Sequence, residues 1–423
     1  MRLRDSSRDL RALLLALFLL GLALGPRLAL DQVEARSLGV AVWPWRAPFG
    51  VLLNLDAFLY MDAARQPQSL TAPGAALQAR PLVPWLLYPL VRTLERVGLG
   101  AGAADLAREP ADAGILAPYF AWLLFNLAVL ASAIVLATHW LQRLPGADSG
   151  LAVAGSMVLA FNPLGKAFLL QPHLQLLHLL VPMVAILAWQ QLWHASMPKR
   201  ARYWLYSAAV GLGMLAYAGF AVVAVVIALA VWRHRRAVAG PAYVGALGML
   251  ALLVLPTLVW VAFLAQSGTG YQNYEIERWR QVVWIGDLLR ASGIWATARQ
   301  LSGNLGFLAL ESLRFAAPAL CMAVVAVAAS RPYWAELRRD RGLHLALGAC
   351  LAVALLSIGF YAAVGLRVSR LASAAGVCIA LAAMGVALAA LSRHPQSSRL
   401  HAWAWSAMTG LGACWVAADG PYV

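Results

Sequence analysis

Apolar residues in this chain run in long blocks rather than in the narrow stripes of a water-soluble fold. The blocks fall near 10–30, 114–138, 150–169, 173–195, 203–216, 218–233, 241–265, 304–330, 342–365, 370–392 and 400–418. Several reach the roughly 20 residues needed to cross a bilayer core about 30 Å thick. In hydrocarbon every backbone N–H and C=O must be paired inside the protein, which favours helices. The alternating pattern of a membrane β-barrel is absent. The pattern predicts an all-α, polytopic transmembrane bundle of about eleven spans, organised as a single domain over residues 1–423. The first block follows a basic start and lacks a small-residue cleavage site, so it reads as an uncleaved first helix. The stretch 203–233 is too long for one span and short for two, and basic clusters bound it. It is expected to turn back on itself at Ala216–Gly219, a bend that needs burial or a cavity.

Two polar regions interrupt the blocks, about 31–113 and about 266–303, both rich in Trp, Tyr and Arg. Such residues suit the headgroup level. Within the first, 49–61 and 81–99 are apolar but studded with charge, and read as helices lying on the membrane surface.

Composition agrees: 62% of the 423 residues are hydrophobic and 12% charged, against about 45–50% and about 25% in ordinary soluble domains. The formal charge is +15, carried almost wholly by arginine, since only Lys166 and Lys199 are lysines. The basic residues sit at the ends of apolar blocks, which points to membrane topology and away from nucleic acid. With the N-terminus cytoplasmic, one side collects 17 of the 33 Lys and Arg but five of the 18 acids. For a chain expected in a bacterial-type inner membrane, that asymmetry predicts both polar loops and the C-terminus on the periplasmic side. Cys321, Cys350, Cys378 and Cys414 lie inside apolar blocks without metal-type spacing and read as small buried side chains.

Candidate chemistry concentrates in the polar regions. Asp56 and Tyr60 lie four residues apart and share a face if 54–65 is helical, whereas Asp62 falls about 120° from Asp56 and sits nearer Arg65 and Gln66. Asp56 is either an interfacial carboxylate, paired for example with Arg80, or a working acid. The segment Tyr271–Arg280 suits headgroup or sugar contact through its rings and through Arg278 and Arg280, or it forms an amphipathic interfacial helix. Arg367 and Arg370 sit in a very short outer turn, against the charge bias. They are expected to meet an anion, either lipid headgroups or a carrier phosphate. A polar island at 162–178 holds Lys166, His173 and His178. The histidines read as satisfied structural groups or as pocket lining, and Lys166 as a further phosphate contact.

The order of these features resembles the GT-C class of membrane glycosyltransferases, in its mannosyl- and arabinosyltransferase-like branches. The residues that carry the likeness are Asp56, Tyr60, Ala63 or Ala64, and Arg80-Pro81-Leu82-Val83-Pro84, set after one span and before many, with paired short helices at 203–233. The likeness covers about the first 240 residues. It implies transfer of a sugar from a polyprenyl-phosphate donor to a glycan or lipid acceptor at the periplasmic face. In that chemistry Asp56 takes the acceptor proton, and Arg80, Arg278, Arg280, Arg367 and Arg370 hold the departing phosphate. Tyr60, Asp62, Lys166 and His173 would contribute to substrate binding. Ala57 stands where many such enzymes carry a second acid, so no tight acidic pair supports a divalent metal, and the cofactor is left open. Membrane lipids are expected partners and nucleic acid is not. A transporter or flippase is the competing reading, as is a non-catalytic partner in envelope polysaccharide assembly. Against a transporter, no internal repeat is evident and mid-span charges are few, Glu311 and Arg314 being the nearest cases.

Overall fold

The computed structural model describes residues 40–44, 50–99, 113–144, 149–159, 162–193, 200–235 and 244–393. The first and last expected spans, 10–30 and 400–418, lie outside the described residues. Within them the fold is helical, apart from one antiparallel hairpin of β1 (Val40–Pro44) and β2 (Gly50–Asn54). The hairpin amends the all-α expectation only locally, every other regular element among the described residues being helical. Its β-branched and aromatic residues favour an extended chain, and Trp43 faces Val51 across it. It also corrects the surface helix expected over 49–61, since the helix α1 spans Leu55–Arg65 and begins only after β2.

After α1 come α2 (Leu82–Leu94), α3 (Ala113–Leu141), α4 (Ser149–Ser156) and α5 (Pro163–Phe168). Then follow α6 (Leu177–Ala188), α7 (Arg200–Ala216), α8 (Phe220–Arg233), α9 (Val244–Gln266) and α10 (Tyr274–Trp279). The chain closes with α11 (Val283–Ala329), α12 (Trp334–Arg339), α13 (Arg341–Val364) and α14 (Ser369–Ser392). Among the described residues, five helical stretches are long and apolar enough to cross a membrane: Gly114–Leu141, Val244–Gln266, Tyr274–Ala329, Arg341–Val364 and Ser369–Ser392. This architecture is compatible with a multi-pass membrane protein.

The block 150–169 is not one span. It breaks because Asn162 caps a new helix, its side chain accepting from the Gly165 N–H at 2.8 Å, and Pro163 opens α5. The stretch 203–233 does reverse: α7 ends at Ala216, α8 begins at Phe220, and Tyr217 in the bend is buried. The 266–303 region is not a loop throughout, since α10 and the first part of α11 occupy much of it.

α14 forms the centre. It is buried along most of its length and packs on α11, α13 and α6. Small residues permit the approach: a Cβ at Gly376 would meet the Phe315 ring of α11 at 2.7 Å. Elsewhere α7 packs on α9, where Gly211 lies against the Leu252 carbonyl, and α1, α2 and α3 pack together.

The start of α11 forms a helical hairpin of its own. The Trp284 indole donates to the Ala363 carbonyl at 2.9 Å, and the Asn304 amide donates to the neighbouring Ala362 carbonyl at 3.2 Å. The chain between them therefore leaves and returns to one place. Gly293, at φ 77 and ψ −178, makes the reversal that other residues resist.

Candidate functional site

The base of this hairpin, α1, and the loop before α2 enclose a cavity of about 330 Å³. Asp56, Tyr60, Arg80, His173, Arg278 and Arg370 all line it, together with Gln175, Tyr274, Glu275 and Trp279. Asp56 and Tyr60 come from one face of α1, as their spacing requires. Asp56 is exposed and sits in the first turn, where the helix dipole favours a negative charge. Tyr60 is buried, and α1 is pinned there because the Trp122 indole of α3 donates to the Tyr60 carbonyl at 2.9 Å.

Arg80 is the most constrained of the cations. Its guanidinium donates to the Tyr60 hydroxyl at 3.1 Å, forms an ion pair with Glu275, and lies over the Tyr217 ring, 5.5 Å from its centroid. Burial works against its charge, but Tyr60 and Glu275 outweigh burial and hold it above the ordinary arginine range. Burial also pushes the Tyr60 hydroxyl up, with Arg80 pulling the other way, so Tyr60 stays neutral. Glu275 belongs to α10, whose N-cap is the Asn273 side chain. The segment before α10 is stitched to the loop that carries Arg80: Gln272 N–H donates to the Gln78 side chain at 2.6 Å, and Thr269 Oγ1 donates to the Thr71 carbonyl at 2.6 Å.

Arg278 stands over the Tyr274 and Trp279 rings, 5.3 and 5.2 Å from their centroids, a cation–aromatic cluster on the rim. Arg370 opens α14. Its Nε is buried without a hydrogen-bond partner, and among the described residues it joins no ion pair. Gln175 is buried and its Oε1 also lacks a partner. His173 packs on Tyr60 with ring centroids 4.6 Å apart. Burial, then the charges of Arg370 and Arg80 and the nearby His178, hold its pKa well below the ordinary histidine value. The Gln175 N–H donates to His173 Nδ1 at 3.2 Å, so the neutral ring carries its proton on Nε2.

The other expected residues lie elsewhere. Asp62 is exposed and off the cavity lining. Lys166 is buried on α5, also off the lining. Arg280 pairs with Asp287. Arg367 donates to the Asn304 side chain at 2.9 Å and helps tie the hairpin base. Arg65 pairs with Glu95 at 3.5 Å rather than with Asp62. The partner of Arg80 is Glu275, 195 residues away, and no local spacing signals that pair. Tyr217 was likewise invisible as a site residue, because its signal was only that of a helix break. No cluster of three or more His, Cys, Asp or Glu side chains suited to a metal forms among the described residues.

The lining thus carries three guanidinium groups and two carboxylates, a positive excess of one, with aromatic rings around them. Such a set can bind an anion beside an apolar or sugar face, while Asp56 offers a proton acceptor. Comparison with known families, curated proteins and solved structures returns no match for this chain.

Proposed function

We propose that this chain is a glycosyltransferase that moves a sugar from a polyprenyl-phosphate donor to a glycan or lipid acceptor at the periplasmic face of a bacterial inner membrane. The observation that carries this reading is one cavity holding Asp56 together with Arg278 and Arg370. In the proposed step the Asp56 carboxylate takes the proton of the acceptor hydroxyl. The acceptor oxygen forms a bond to the anomeric carbon, and the bond from that carbon to the phosphate oxygen breaks. The electron pair leaves on the carrier phosphate, where planar guanidinium groups stabilise the charge through paired hydrogen bonds. Arg370 suits this role because its buried Nε still has a bond to make. Arg80 is already satisfied and instead holds Tyr60 and Glu275 in place.

Membranes from a host producing the protein, supplied with a panel of labelled polyprenyl-phosphate monosaccharides, provide the test. One donor should be consumed, and Asp56→Asn should reduce transfer by about 10²-fold or more, as for loss of a general base. Insertion and yield should stay unchanged. Full transfer by well-inserted Asp56→Asn and Arg370→Gln proteins would refute the assignment.

A further inference from the structure

At the end of the bundle opposite the cavity, α11, α13 and α14 leave a groove of about 940 Å³. The cavity receives Leu366, Val368 and Arg370, from the turn joining α13 to α14 and the start of α14. The groove is lined instead by residues near the beginning of α13 and the far half of α14, such as Leu347 and Ala383. Its walls are aliphatic. Alanines at 323, 328, 382 and 383 supply the space, because each leaves out the bulk of a valine or leucine. Val324 and Leu351 on its lining are 69% and 54% exposed, so it opens sideways from the bundle.

The mouth has a different chemistry. Arg331 and Trp334 close it, on the turn and short helix that follow the end of α11. Arg338 stacks over the Trp334 ring, 5.0 Å from its centroid. Among the described residues neither Arg331 nor Arg338 pairs with an acid, whereas the nearby Asp340 is taken by Arg393 at 2.6 Å. An apolar slot ending at the Arg331 guanidinium and the Trp334 indole, with Arg338 stacked behind that indole, matches a molecule with a hydrocarbon chain and an anionic phosphate. Arginine grips phosphate through its planar fork, tryptophan settles at the headgroup level, and basic pockets between membrane helices take acidic headgroups.

We propose that this groove is a binding site for one anionic glycerophospholipid. An acyl chain fills the slot between α11, α13 and α14, and the phosphate meets Arg331 with Arg338 beside it. On the transfer reading proposed above, a polyprenyl phosphate places its phosphate in the cavity at the other end of the same helices; the lipid assignment itself rests on the aliphatic walls of the groove and its basic mouth.

Native mass spectrometry of the full-length protein, released from detergent and titrated with phosphatidylglycerol or phosphatidylcholine, tests it. One phosphatidylglycerol should be retained in preference to phosphatidylcholine. Arg331→Gln should weaken that retention about tenfold, the scale of one charge-assisted hydrogen bond. Ala383→Phe should fill the slot and weaken it similarly. Arg331→Gln alters an exposed side chain, so it reads out even if the groove-filling variant folds poorly. Equal retention of the two lipids, unchanged retention in a folded Arg331→Gln protein, or displacement of phosphatidylglycerol by polyprenyl phosphate would each overturn the site.

Discussion

Arg80, Arg278 and Arg370 look alike in sequence, as cations in segments expected on one side of the membrane. Their partners separate them. Arg80 is enclosed by Tyr60, Glu275 and Tyr217, while Arg370 keeps an unsatisfied nitrogen. Breaking a part-buried pair leaves the other charge uncompensated, at a cost of about 3 kcal/mol. Glu275→Gln or Arg80→Gln should therefore lower the thermal unfolding midpoint in detergent. The double variant should lose less than the sum of the two, and strict additivity would mean that the pair is not coupled. His173 gives a pH prediction. Its folded pKa is depressed, so below the unfolded value of about 6.5 the unfolded chain takes up a proton that the folded one refuses. Its neutral burial next to Arg370, Arg80 and His178 is thus harmless above that pH and destabilising below it. The unfolding midpoint should drop between pH 7 and pH 5, and His173→Gln should make the drop shallower. At this scale the sequence made Asp56 and Tyr60 legible, because four residues is one helical turn. It left Glu275 hidden, because a contact across 195 residues has no local period.

Among elements, apolar blocks located most helices, but breaks depended on single residues that block-reading passes over. Asn162 and Pro163 divide 150–169, and Gly293 folds α11. The first signal, a capping side chain with proline, opens the polar island at 162–178, which the apolar block 150–169 overlaps, and the second is a lone glycine inside the polar region 266–303. Blocks also say which segment is buried and not what it meets. The close approach of α7 to α9 at Gly211 is an example. Gly211→Ala puts a methyl group against the Leu252 carbonyl and should cost about 1–3 kcal/mol, the range for an overpacked core. Gly348→Ala meets nothing within 4 Å and should be neutral or stabilising by about 0.5–1 kcal/mol. Paired melting curves check the contrast, and equal effects would mean that the α7–α9 contact is looser than described.

For the whole molecule, composition alone announced a helical, apolar body, and α11, α13 and α14 supply its long core. The cavity was not legible as an assembled object, because α1, the Arg80 loop, the α6 approach, α10 and the start of α14 all contribute walls. The arrangement puts Glu277 near the cavity and Glu336 near the groove, at opposite ends of α11. Cysteines introduced at these two exposed positions should react with an impermeant maleimide from opposite faces of sealed vesicles. Labelling of both from one face would contradict a transmembrane arrangement of α11. The helical hairpin at the start of α11 has a practical corollary. Both its feet are fastened to adjacent carbonyls at the end of α13, while Trp295 beside the reversal is 84% exposed. Length added at the tip need not disturb the feet. An epitope spliced in at Gly293 should thus give a handle for antibody fragments, enlarging a small particle for imaging while the chamber below keeps its shape.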